Sequence, residues 1–139
     1  MKKILLILLF VIFSISNLSA KTVWIFDETD SHFSEFYNAI WDNLKDTEYG
    51  PYCKYVPKGE AKDKIKPGDA VLQLSGLYLE TTGEPIFTYN VLMLMIDNAF
   101  NWNYRSFYMD AGTYVTQKDK ASRAAEDILI FLRKDFKIN

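Results

Sequence analysis

The sequence predicts an α+β domain: a mixed, largely antiparallel sheet of 4–5 strands with two amphipathic helices on one face, in the order β-α-β-β-β-β-α. Three observations predict it. Two segments, one near each end of the chain, repeat apolar residues at helical spacing. Between them, three long β-prone segments are separated by short stretches of turn chemistry. A short strand-like segment follows the first helix, so the helix reads as a crossover between neighbouring strands.

The elements follow in chain order. Residues 1–20, MKKILLILLFVIFSISNLSA, join two lysines to an apolar run and a small, polar exit. That is the layout of a cleavable secretory signal, expected to be cut after Ala20. The apolar run falls short of the roughly 20 residues that span a bilayer. Lys21, not cysteine, follows the expected cut, so the bacterial lipoprotein pattern is absent. What remains, residues 21–139, is expected to be a single domain in the periplasm with no stable membrane insertion.

TVWIFD at 22–27 is β-prone and apolar. In SHFSEFYNAIWDNLKD, Phe33, Phe36, Tyr37, Ile40, Trp41 and Leu44 form the stripe of an amphipathic helix. Gly50 and Pro51 end it. YCKYV reads as a short strand. PKGEAKDKIKPGD reads as a solvated connection with room for one helical turn, its lysines interleaved with Glu60, Asp63 and Asp69. DAVLQLSGLYLE and IFTYNVLMLMID are strands joined by the turn TTGEP. NAFNWN reads as a loop, and YRSFYMDAGTYVT as the last strand, with a bulge or bend at Ala111-Gly112. In DKASRAAEDILIFLRKDF, Ala121, Ala124, Ala125, Ile128, Leu129, Leu132 and Phe136 repeat the helical stripe. Trp41 and Ile128 are expected to be buried against the sheet. The second sheet face is left to meet water or a partner.

Composition narrows function. Without residues 1–20 the chain has 14 basic and 18 acidic residues. This weak acidity argues against nucleic acid and against a polybasic membrane surface. Cys53 is the lone cysteine, so no internal disulfide forms; it reads as a small buried hydrophobe or as a thiol for an intermolecular bridge.

The order and its pieces resemble a group of small bacterial envelope domains. These are the activator lipoproteins of peptidoglycan synthases, the periplasmic domain of the curli secretion channel, and flagellar outer-ring accessory proteins. The matching pieces are Val23 to Asp27, Gly68 to Gly76, Tyr89 to Asp97 and Ala121 to Leu132. The resemblance implies a non-catalytic accessory or scaffold role, binding another envelope protein in a motility or cell-wall assembly. A lipidated cysteine, present in part of that group, is missing here.

Candidate sites are few. Asp27, Glu28, Asp30 and His32 combine carboxylates with the chain's one histidine. A metal needs several such ligands converging on one ion, and a single nitrogen ligand is a poor start. The same residues serve better as a helix entry, with Asp30 or Ser31 as N-cap, acids near the positive helix end, and His32 in an exposed first turn. No nucleophile–base set avoids His32, and no glycine-rich phosphate loop exists. The expectation is therefore no enzyme, no cofactor and no metal. The sharper signal is NAFNWNYRSFYMD. Phe100, Trp102, Tyr104, Arg105 and Tyr108 are residue types favoured at protein-contact hot spots, and they are the candidates for partner binding. Alternatives are a periplasmic immunity protein or inhibitor, a small-ligand or glycan binder, and a metal-dependent hydrolase centred on His32.

Overall fold

The apolar runs become strands and the helical stripes become helices, as their periods require. The computed structural model describes residues 20–60, 63–97 and 102–138, with the backbone alone for 102–105. The strands are β1 (Val23–Asp27), β2 (Cys53–Val56), β3 (Ala70–Leu79), β4 (Ile86–Ile96) and β5 (Trp102–Gly112); the helices are α1 (Ser34–Leu44) and α2 (Gln117–Asp135). One five-stranded sheet has the order β2-β1-β3-β4-β5. β1 runs parallel to both β2 and β3, and β3, β4 and β5 form an antiparallel meander. The α+β class and the β-α-β-β-β-β-α order are as predicted. Among the described residues no helix is long and apolar enough to cross a membrane.

Both helices lie on one face. Val23, Ile25, Leu72, Leu74, Phe87, Tyr89, Val91 and Met93 of the sheet meet Phe36, Ile40 and Leu44 of α1 and Ala121, Ala124, Ile128 and Leu132 of α2. The alanines allow α2 to approach the sheet closely, and α1 and α2 also pack on one another. Fully burying each large aliphatic side chain contributes about 1.5–3 kcal/mol. Ile128 is fully buried, as expected. Trp41 is not: it is half-buried at the rim, because Phe36, Ile40 and Leu44 already fill the centre of the α1 stripe.

Helix entries use side chains. Asp30 accepts the backbone N–H of His32 at 2.9 Å, capping the 3-10 turn Ser31–Phe33 that leads into α1. At the other entry the Thr113 N–H donates to Thr116 Oγ1 at 3.0 Å. Gln117, fully buried, ties the two starts together: its Oε1 accepts the Phe36 N–H at 3.1 Å and its Nε2 donates to the His32 carbonyl at 2.9 Å. One orphan donor of α1 is thereby satisfied from α2. Three glycines are required by contact, the tightest being Gly50, where a Cβ would stand 2.1 Å from the Lys45 carbonyl oxygen. A Cβ at Gly76 would stand 2.3 Å from the Phe33 ring, and one at Gly112 would stand 2.3 Å from Thr116 Oγ1.

Three further expectations are corrected. The last strand begins at Trp102, not Tyr104, because Trp-Asn-Tyr has the alternation and aromatic content of a strand and pairs with Leu94–Ile96. The register irregularity lies at the opposite end of β5 from Ala111-Gly112: Met93 pairs with Ser106 and Leu94 with Tyr104, so the pairing passes over Arg105. The 57–69 connection is not simply solvated. Ile65 packs on the outer sheet face, against the cluster of Trp24, Phe26, Val56, Val71, Leu94 and Ile96. Asp69 is fully buried and accepts the Thr22 N–H at 2.9 Å, the Trp24 indole N–H at 2.7 Å and the Lys66 N–H at 3.1 Å. Three donors to one carboxylate make its burial tolerable.

Candidate functional site

The acidic cluster around His32 is spread among structural tasks. Asp27 Oδ1 accepts from the Thr29 backbone and hydroxyl, and its Oδ2 accepts from Tyr55 Oη at 3.3 Å. Asp30 turns the other way, to His32: its Oδ1 takes the backbone N–H and lies 2.9 Å from Nδ1. The hydrogen bond from the His32 backbone holds the Asp30 carboxyl below its ordinary range. The imidazole stacks on Tyr78, with centroids 4.2 Å apart and planes 11° from parallel. Among the described residues no three of His, Cys, Asp and Glu gather where a metal could sit. Cys53 is half-buried against the core, and desolvation pushes its thiol up to about 11, the reverse of what a nucleophile needs.

The predicted contact residues are placed unevenly. Phe100 lies outside the described residues. Trp102 and Tyr104 stand in β5 opposite Ile96 and Leu94, two residues of the outer sheet face, with Arg105 at the irregularity beside them. Tyr108 belongs to the core instead. It is 7% exposed, faces α2, and donates to the Lys120 carbonyl at 3.0 Å, with Asp110 Oδ2 at 3.2 Å. Its strand parity is opposite to that of Phe107 and Met109, which is why it turns inward. Lys120 Nζ completes this anchor at 2.9 Å from Asp110 Oδ2, and its hydrogen bond holds the Asp110 carboxyl below the usual range.

A different set of apolar residues is exposed. Among the described residues, the outer face is covered where β1, β2, the start of β3 and the end of β4 lie. Toward the β3–β4 hairpin its apolar side chains are exposed. Leu77 is 55% exposed, Phe107 45% and Met109 69%, with Leu79 and Ile86 also exposed at the hairpin end. Phe107 pairs with Leu92, and Met109 with Asn90. The open half is thus an apolar sheet surface with polar positions between. These residues are absent from the predicted set, though a signal existed. β3 and β5 carry apolar side chains at both parities, Leu77 and Leu79 beside Tyr78, Phe107 and Met109 beside Tyr108, while only two helices were available to cover one face.

No family model matches the chain, and no curated protein sequence matches it. Solved structures similar to it include a PelC dodecamer from Paraburkholderia phytofirmans, at 10% identity and a TM-score of 0.46 over 81% of this chain and 88% of that chain. A leucine-to-methionine variant of that dodecamer, in another crystal form, shows 12% identity and a TM-score of 0.45 over the same shares.

Proposed function

We propose that this protein is a non-catalytic accessory or scaffold protein of the periplasm, and that it binds another cell-envelope protein through the open half of its outer sheet face. The observation that carries the reading is the exposure of Leu77, Phe107 and Met109 together on one side of the meander. Large apolar side chains gathered on one sheet face, here with Thr88 and Asn90 between them, support a contact surface in a way that singly scattered ones do not. Trp102, Tyr104 and Arg105 continue the same strand toward the β4–β5 connection and are retained by residue type as candidates for the contact. The periplasmic location rests on the signal-like pattern of residues 1–20, and the accessory role on the resemblance to envelope assembly domains.

The test uses a photo-crosslinking amino acid in the exported protein. At Met109 it is expected to give one discrete adduct with an envelope protein; at Asn38, exposed on α1, it is expected to give none. Met109→Glu should abolish co-purification of that protein without changing the melting temperature. Adducts of equal yield at both positions, or none at Met109, overturn the reading.

A further inference from the structure

At the end of the sheet where β1, β2 and β3 begin, an open cleft of about 460 Å³ is lined by Lys21, Lys54, Lys64 and Lys66, with Trp24 and Tyr52 among its walls. No carboxylate is among its described lining residues. The concentration of positive charge is local, because the chain as a whole is weakly acidic. Asp69 lies behind this wall, but it is fully buried and its oxygens are taken by Thr22, Trp24 and Lys66 N–H groups. Its role there is to hold the indole in place. Lys21 Nζ donates to the Lys137 carbonyl at 3.1 Å, and Lys54 Nζ stands 5.6 Å from the centre of the Trp24 ring. Four lysines line one cleft, so an anion placed among them meets positive charge from more than one side.

A second cleft, of about 590 Å³, adjoins the first and shares Trp24, Lys54 and Lys64. It adds Glu60 and Asp63. The first compartment is therefore cationic and the second mixed, and both are within the size range of ligand sites.

We infer that this surface binds an anionic glycan segment, with an acidic sugar unit among the four lysines and a neighbouring unit in the mixed cleft. Lysines act as point charges and suit carboxylate or phosphate groups on a flexible chain, without the fixed geometry that arginine imposes. Trp24 is only 8% exposed, so Tyr52 and Pro51 supply most of the apolar wall for a sugar ring. Carboxylates in the second cleft accept hydrogen bonds from sugar hydroxyls. Two open, adjoining compartments fit consecutive units of a chain better than one enclosed small molecule. Removal of residues 1–20 would place the Lys21 α-amino group at this cleft and add to its charge.

The test is calorimetric titration of the exported protein with trigalacturonate, with maltotriose as the neutral control and vesicles of phosphatidylglycerol and phosphatidylcholine (1:3) as the lipid source of anions. Trigalacturonate is expected to bind at one site per chain. Binding should weaken at least about tenfold in high salt, as screened charge interactions do. Lys54→Gln with Lys64→Gln should weaken it at least as much, while Lys118→Gln on α2 leaves it unchanged. Both substituted lysines are exposed, and Lys64→Gln alone serves if the double variant does not fold. Equal binding of maltotriose, binding to vesicles without binding to trigalacturonate, equal loss in Lys118→Gln, or no binding at all overturns the inference. Met109→Glu should leave this titration unchanged, so the glycan site and the protein-contact face fail or stand separately.

Discussion

The two faces of the sheet are made by the same strands and end differently. On the helix-covered face, the large aliphatic side chains of β1, β3 and β4 from Val23 to Met93 are buried, and Tyr78 is half-buried at its edge. On the outer face, burial depends on position along the strand. Val71 and Leu77 share the outer parity of β3, yet Val71 is buried and Leu77 is exposed. The difference lies in what covers them. Val71 sits in the cluster on which Ile65 of the irregular 57–69 connection packs, while nothing among the described residues spans Leu77. Hydropathy alone therefore does not separate core from contact surface in this protein; cover does.

Substitutions on the two faces should differ accordingly. The largest effect is expected from Ile128→Ala, which empties space in the helix-covered core and should cost about 2–5 kcal/mol by denaturant titration. A midpoint equal to wild type would mean that α2 does not close that face. Next comes Asp69→Ala. It leaves two buried N–H groups and one half-buried one without their acceptor and should cost about 3 kcal/mol. If the variant keeps wild-type stability, the connection does not depend on Asp69 for its seat on the outer face.

Asp110→Asn tests the anchor between β5 and α2, and should cost less than about 1 kcal/mol at pH 7, as partly exposed ion pairs do. The Lys120 hydrogen bond lowers the Asp110 carboxyl in the folded protein. Its stabilisation is therefore present above the unfolded carboxyl value of about 3.9 and is lost as pH falls through the lower folded value. The gap between variant and wild type should close in that acid range; a gap that widens there removes the ion pair as its cause. The smallest effect is expected from Met109→Glu on the open half, within about 0.5 kcal/mol. A larger loss, measured the same way, would show that Met109 supports the fold and is not simply displayed.

Much of the fold was legible because it is written in local periods. The stripes from Phe33 to Leu44 and from Ala121 to Phe136 place both helices. The alternation in residues 70–96 places two strands, and Asp30 marks the helix entry by its own short-range chemistry. The candidate site was legible only in part. Trp102 and Tyr104 were singled out by residue type, but a one-residue difference in strand parity separates inward Tyr108 from outward Phe107 and Met109, and the shift near Arg105 resets that parity. Such a shift is a property of pairing between strands, so no single segment carries it.

The sequence by itself determined the elements, their order and the face the helices take, because each depends on side chains within a few residues of one another. Only the tertiary structure decided that Gln117 caps a helix 81 residues earlier in the chain, that Asp69 is buried beneath Trp24, and that four lysines from three separate segments share a cleft. It also decided which half of the outer sheet face is left open. These features join residues far apart in the chain, and the free energy that selects them comes from desolvation and pairing that exist only once the sheet has assembled.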